Sequence, residues 1–177
     1  VFNENDIESI KKEYVGGVTA NISGLFSGYI YEGSKTVLPS KAMAKLDFRL
    51  VPDMMPQKQF QLLREHLDNN GFKDVQLVYL SGEPASRIPI NNEFAKLVEL
   101  SAIEEYGNVI KSISSAGTGP MWYFNKILKC PCVGIGCTYK YSRMHSPNEF
   151  VRIDLIKKTT KCIGNIIENF GRHNNKN

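Results

Sequence analysis

His145, in the stretch Tyr141-Ser142-Arg143-Met144-His145-Ser146-Pro147-Asn148-Glu149, is the residue in this sequence best suited to chemistry. It follows an apolar run from Cys132 to Cys137 and precedes an amphipathic pattern that begins near Val151. An imidazole can ligate a metal or carry a proton, and a loop after a buried strand is where an α/β scaffold places such a group. Pro147 and Asn148 give the loop a defined turn. Alone, a loop histidine is ordinarily a solvated side chain. Glu149 either orients the His145 ring or serves as a helix N-terminal acid favoured by the dipole. Arg49, on the polar face of a strand, can pair with Asp47 or with a neighbouring strand. The small-residue loop Ser114-Ser115-Ala116-Gly117-Thr118-Gly119-Pro120 lacks the Gly-Lys-Ser/Thr ending of a phosphate loop, so its residues could be turn chemistry alone. Cys130, Cys132, Cys137 and Cys162 have no zinc-knuckle spacing and read as reduced, structural thiols.

The elements that must position these residues fall into two rhythms. Residues 5 to 14 could form a short helix, but they are polar, end at Gly16-Gly17 and read as a connector. Ala20 to Tyr31 reads as an antiparallel strand with Ile22, Phe26 and Ile30 as its apolar positions, closed by a turn at Gly33-Ser34. Residues 41–51 give the clearest strand, with Ala42, Ala44, Leu46, Phe48 and Leu50 on one face and Lys45, Asp47 and Arg49 on the other. Pro56 opens a helix carrying Phe60, Leu63 and Leu67 and ending at Gly71. Val75, Leu77 and Tyr79 form another alternating run. Strand, strand, helix, strand is an α+β sandwich, a helix over an antiparallel sheet. Its usual closed form has one more strand and one more helix, which are expected either before Val1 or within residues 1–15.

A linker rich in Pro and Gly spans residues 81–91, and a different rhythm follows. A helix over 92–106 carries Phe94, Leu97, Val98 and Ile103 and stops at Gly107. A short strand Val109 to Ile113, a helix through Trp122 and Phe124, the strand to Cys137 and a last helix complete it. That helix places Ile156, Thr160, Ile163, Ile167 and Phe170 at a/d-like spacing. This alternation predicts α/β structure with parallel strands. His66 mid-helix and His173 in the tail read as solvated.

Apolar residues make up 42% and charged residues 23% of the 177, an ordinary globular composition. The net charge of +4 is dispersed, with no basic block or basic-aromatic stripe for nucleic acid. No apolar run approaches the roughly 20 residues that cross a bilayer. No signal peptide is expected, and the cysteine usage points to the cytoplasm. Because the chain opens at Val1, its natural start is expected upstream.

Four motifs occur in one order: Lys35-Thr36-Val37-Leu38-Pro39, Ala44 to Pro52, Ala116-Gly117-Thr118-Gly119-Pro120, and His145-Ser146-Pro147-Asn148-Glu149. Together they resemble the second half of a co-catalytic zinc metallopeptidase. That family includes carnosinase, carboxypeptidase G, acetylornithine deacetylase and succinyl-diaminopimelate desuccinylase, and the carnosinase-like dipeptidases are the branch most resembled. The resemblance runs from about residue 20 to 170. It implies a ferredoxin-like lid domain in residues 1–82, used for dimerisation in many members, and the C-terminal part of a zinc-binding α/β hydrolase domain in 90–177.

By the same resemblance His145 is a ligand of a two-zinc site, with cobalt or manganese as possible substitutes. Arg49 would hold a substrate carboxylate, Thr36 would line the site, from the partner subunit in dimeric members, and Gly117 and Thr118 would bind substrate polar groups. The family's remaining ligands and its general-base Glu precede the lid, so no catalytic residue is expected on this chain and its own activity is expected to be nil. A further carnosinase histidine has no counterpart here, where Leu80 stands. The implied substrate is a dipeptide or N-acyl amino acid, making the intact protein a peptidase or deacylase. A homodimer is expected through the strand around Asn21–Tyr31 or helix 56–70. The alternative is a non-catalytic α+β interaction module pairing through the same elements.

Overall fold

The computed structural model describes residues 4–115 and 117–174, so Val1 and the Asn175-Lys176-Asn177 tail lie outside it, as does Ala116. The elements run α1 (Glu4–Gly16), β1 (Thr19–Ser27), β2 (Ala42–Arg49), α2 (Pro56–Asn69), α3 (Glu93–Tyr106), a π-helical turn (Tyr123–Ile127) and α4 (Ile153–Asn174). They form two compact units. One comprises the chain up to Ser86 together with Ser114–Trp122; the other comprises Arg87–Ile113 and the chain from Tyr123 onward. Of the two readings of residues 5 to 14 the helix is the one that forms: α1 has 13 residues.

In the first unit β1 and β2 pair antiparallel, with Thr19 opposite Arg49 and Asn21 opposite Asp47. A bulge between Ile22 and Gly24 changes the reading of β1. Ile22 lies opposite Leu46, but beyond the bulge Leu25 lies opposite Ala44 and Phe26 opposite Met43. One inserted residue reverses the alternation, so Leu25 rather than Phe26 shares Ile22's face. β1 also ends before Tyr31, because Gly28 takes a left-handed φ of 81° and turns the chain away. In the 14 residues between the strands Tyr29 donates its hydroxyl to the Glu32 carbonyl at 2.8 Å, and the Lys35 ammonium lies 5.6 Å from the Tyr29 ring centre.

Val75 to Tyr79 pairs with no strand among the described residues. It lies back along α2 instead. The Arg64 guanidinium donates to the carbonyls of Phe72 (2.8 Å) and Val75 and forms an ion pair with Asp68 at 2.7 Å. Further along, the Tyr79 ring meets Phe60 edge-on at 5.3 Å between centres. A Cβ on Gly82 would come within 2.6 Å of the Pro56 Cβ, so only glycine allows that approach. Alternation gave this run two faces but could not say whether its backbone partners would be a ladder or an arginine.

In the second unit α3 packs on α4. Asn92 caps α3 by accepting from the Phe94 and Ala95 amides, and Gly107 (φ 82°) ends it. Val98, Ser101 and Ala102 of α3 are buried against Thr159 and Cys162 of α4. Polar contacts run through this seam: Asn169 donates to the Ser101 hydroxyl at 3.0 Å, and the Tyr106 and Thr159 hydroxyls lie 2.7 Å apart.

The helical period expected for α4 is present, but its phase is off by one residue. Thr159 and Cys162 face α3, while Ile156, Ile163 and Ile167 are 41%, 45% and 68% exposed; Phe170, though also part exposed, meets the Phe94 ring of α3 edge-on at 6.0 Å between centres. Ile103 of α3 likewise faces solvent. His173 belongs to the last turn of α4 rather than to a tail.

Neither expected parallel strand forms. Val109 to Ile113 and Cys132 to Cys137 are irregular, and Ile110 is 98% exposed. A strand requires a neighbouring strand for its backbone ladder, and among the described residues neither run pairs with one; the Gly136 carbonyl instead accepts from the Thr159 hydroxyl of α4 at 3.4 Å. The helix expected through Trp122 and Phe124 passes into the π-helical turn at Tyr123. All four cysteines are free, but Cys130 is exposed and Cys132 and Cys137 only half-buried; Cys162 alone is a buried thiol.

Candidate functional site

The described candidates divide between the units. In the first, β2 carries Arg49 to the last position of its ladder, opposite Thr19. The guanidinium Nη1 donates to the Thr118 hydroxyl at 2.9 Å. Asp47 does not take Arg49 as a partner; it accepts from the Asn21 side chain across the ladder at 3.3 Å. Two residues from different motifs therefore meet in an exposed position. In the same loop the Gly117 amide donates to the Ser115 hydroxyl at 3.3 Å. Thr36 stands exposed in the connection between β1 and β2. A guanidinium anchored by one hydroxyl and otherwise open to solvent can take a planar anion such as a carboxylate.

In the second unit His145 is exposed at the third position of a tight turn. The Ser146 amide (3.0 Å) and hydroxyl (2.7 Å) both donate to the Arg143 carbonyl. His145 has a φ of 63°, and Arg143 and Asn148 are also left-handed at 56° and 61°. Side chains avoid this region, and such residues gather where a structure has reason to hold them. Glu149 is exposed and makes no hydrogen bond to His145 among the described residues. Nor is it a helix N-terminal acid, since α4 begins at Ile153 and Asp154 fills that role.

The flanks of the loop were not singled out by pattern. Ser142 is buried, and its amide donates to the Tyr139 carbonyl at 2.9 Å while its hydroxyl accepts from the Tyr139 amide at 3.0 Å. Its carbonyl accepts from the Phe150 amide at 3.1 Å. The Arg152 guanidinium lies 5.6 Å from the Tyr139 ring centre and donates from Nε to Asp154 at 2.9 Å. That hydrogen bond holds the Asp154 carboxyl below its ordinary range. The one sequence signal for Ser142 is the tendency of serine to bond nearby backbone in turns.

Among the described residues no three His, Cys, Asp or Glu side chains gather where they could hold a metal ion. Catalytic zinc takes about three protein ligands, so His145 does not make a zinc site by itself. No described helix is long and apolar enough to cross a membrane.

The chain is similar to the M20 family metallo-carboxypeptidase Sso-CP2 from Sulfolobus solfataricus, with 35% identity and a TM-score of 0.78 over 93% of this chain. The di-peptidase Dug1p from Saccharomyces cerevisiae shares the fold, with a TM-score of 0.73 at 21% identity over 93% of the chain. This chain spans only 38% and 36% of those two proteins. Comparison with curated proteins finds no matching sequence. The profile of peptidase family M20/M25/M40 matches residues 7–169, nearly the whole chain, and the chain belongs to that family.

Proposed function

We infer that this chain is the C-terminal portion of a metal-dependent amidohydrolase that cleaves dipeptides or N-acyl amino acids. The observation that carries the reading is the hydrogen bond between Arg49 and Thr118, which joins two separate motifs at one carboxylate-sized donor group. Family membership supports hydrolysis of an amide bond as the chemistry. Residues 1–82 are assigned to most of a lid and 90–177 to part of the catalytic domain. His145 is assigned as one ligand of a two-zinc centre, with Glu149 nearby in sequence as its supporting carboxylate. The remaining ligands and the general base would come from protein outside these 177 residues.

The work assigned to this chain's own residues is therefore binding. Arg49 holds the substrate carboxylate, Thr118 holds Arg49 in place, and Gly117 and Thr36 offer polar groups to the rest of the substrate. The outer edges of β1 and β2 pair with no strand among the described residues, which supports a homodimer formed through this sheet. A cytoplasmic location is part of the same reading.

The test is hydrolysis by the intact protein of dipeptides and N-acyl amino acids, each with a free or an amidated carboxylate, before and after chelation. The expected result is metal-restored cleavage of the free acids and weak cleavage of the amides. Equal rates on acids and amides would remove Arg49 from its role, and cleavage indifferent to chelation would remove the metal.

A further inference from the structure

Ser142 is 1% exposed, whereas each of the residues from Arg143 to Phe150 is exposed. It is thus the single buried point of the segment that carries His145. Three of its groups are engaged there. Amide and hydroxyl form a reciprocal pair with the backbone of Tyr139, and the carbonyl takes the Phe150 amide. The last of these closes residues 142–150 into a loop with a fixed base. Around that base the Tyr139 ring meets Phe150 at 6.2 Å and Tyr141 at 5.7 Å between centres.

We propose that Ser142 is a positioning residue for His145, closing the base of the loop so that the imidazole projects from a fixed left-handed turn. Of the five left-handed side-chain-bearing residues described, three, Arg143, His145 and Asn148, lie inside the closed segment. An exposed loop of this composition relaxes such conformations unless its ends are held. Inside the loop the Arg143 carbonyl is satisfied by Ser146, which shapes the turn but does not anchor it to the rest of the unit. The anchor is the Ser142 hydroxyl, the side-chain acceptor that ties the loop's start to the preceding backbone. A ligand held in place this way meets an ion without ordering the loop afresh, which is how a supporting residue raises affinity. That consequence rests on the reading of His145 as a metal ligand; the loop geometry does not.

The test uses the full chain without metal, observed by nuclear magnetic resonance. In the wild type the Ser142 and Phe150 amides exchange with solvent at least about tenfold more slowly than those of Met144 and His145. Ser142→Ala speeds exchange at Tyr139 and Phe150 by about fivefold, the factor of one ordinary hydrogen bond. It also moves the His145 amide-to-Hα coupling toward that of an unstructured chain, with the helical circular dichroism unchanged. Ser142→Thr, which keeps the hydroxyl, restores both. A His145 coupling and Phe150 exchange rate unchanged in Ser142→Ala would overturn the proposal. Should either variant unfold, the wild-type comparison decides, and equal exchange at all four amides would overturn it as well. Unchanged metal content in a His145→Ala form of the intact protein would instead remove the ligand reading and leave the loop measurement standing.

Discussion

Arg49 and Thr118, 69 residues apart in sequence, share a 2.9 Å hydrogen bond from guanidinium to hydroxyl. The bond fixes one corner of a planar fork and leaves the rest of the fork facing solvent. Because Asp47 is engaged with Asn21, the guanidinium's charge is not neutralised on its own strand. Arg49→Lys in the intact protein should therefore raise KM for substrates with a free carboxylate, since a point charge replaces the fork. The expected loss in kcat/KM is roughly 1.5–3 kcal/mol, the scale of a charged hydrogen bond. Steady-state kinetics on acid and amide substrates check it, and an unchanged KM would leave Arg49 as a structural charge.

His145 supplies a test of strain that needs no activity. Its φ of 63° suits glycine and penalises any side chain. Chemical denaturation should find His145→Gly more stable than His145→Ala by about 1 kcal/mol. Equal stabilities would mean that the turn is not left-handed in solution.

Arg64 is the residue on which the chain's return along α2 depends. Its guanidinium serves Phe72 and Val75 carbonyls and Asp68 together. Arg64→Met keeps much of the aliphatic stem but leaves those carbonyls without their donor, and should cost about 2 kcal/mol of stability. The loss should be concentrated in protection of the amides from Phe72 to Tyr79, measured by hydrogen exchange.

The thiols separate by burial. Burial, with Glu105 adding to it, pushes the Cys162 thiol above its ordinary value of 9.0, while Cys130 is exposed. In the native chain a thiol reagent at neutral pH should modify Cys130 rapidly and Cys162 only on unfolding. The linkage sign follows from the raised value. Well below pH 9.0 both states keep the proton, so stability there is untouched. As pH rises past that value the unfolded thiol ionises first, and stability falls until the folded thiol ionises too. A stability that rose through this range would contradict the burial of Cys162.

What the sequence made legible was local periodicity and colinear motifs. β2, α2 and α3 are found close to where alternation, Pro56 and Asn92 put them. The errors came from information that periodicity does not hold. A bulge at Ile22 to Gly24 moved Phe26 to the other face, and a phase shift of one residue turned Ile163 and Ile167 of α4 outward. The apolar runs at Val75, Val109 and Cys132 reported faces but not partners, so strands were expected where arginine contacts or open chain occur. In the site, motif order pointed to Arg49, Thr118 and His145, and the structure adds the Arg49–Thr118 bond. Ser142 carried only the signal of a serine beside a turn, because its importance lies in which backbone groups of Tyr139 and Phe150 it meets.

The most direct measurement of the functional account is an amide-hydrolysis assay of these 177 residues with zinc, cobalt or manganese, alone and mixed with the remainder of the protein. One histidine falls short of the roughly three ligands that catalytic zinc takes. The chain alone should therefore release no product from dipeptides or N-acyl amino acids. Activity should emerge only in the mixture and vanish there on His145→Ala. Hydrolysis by the chain alone, or a mixture indifferent to His145→Ala, would contradict the account.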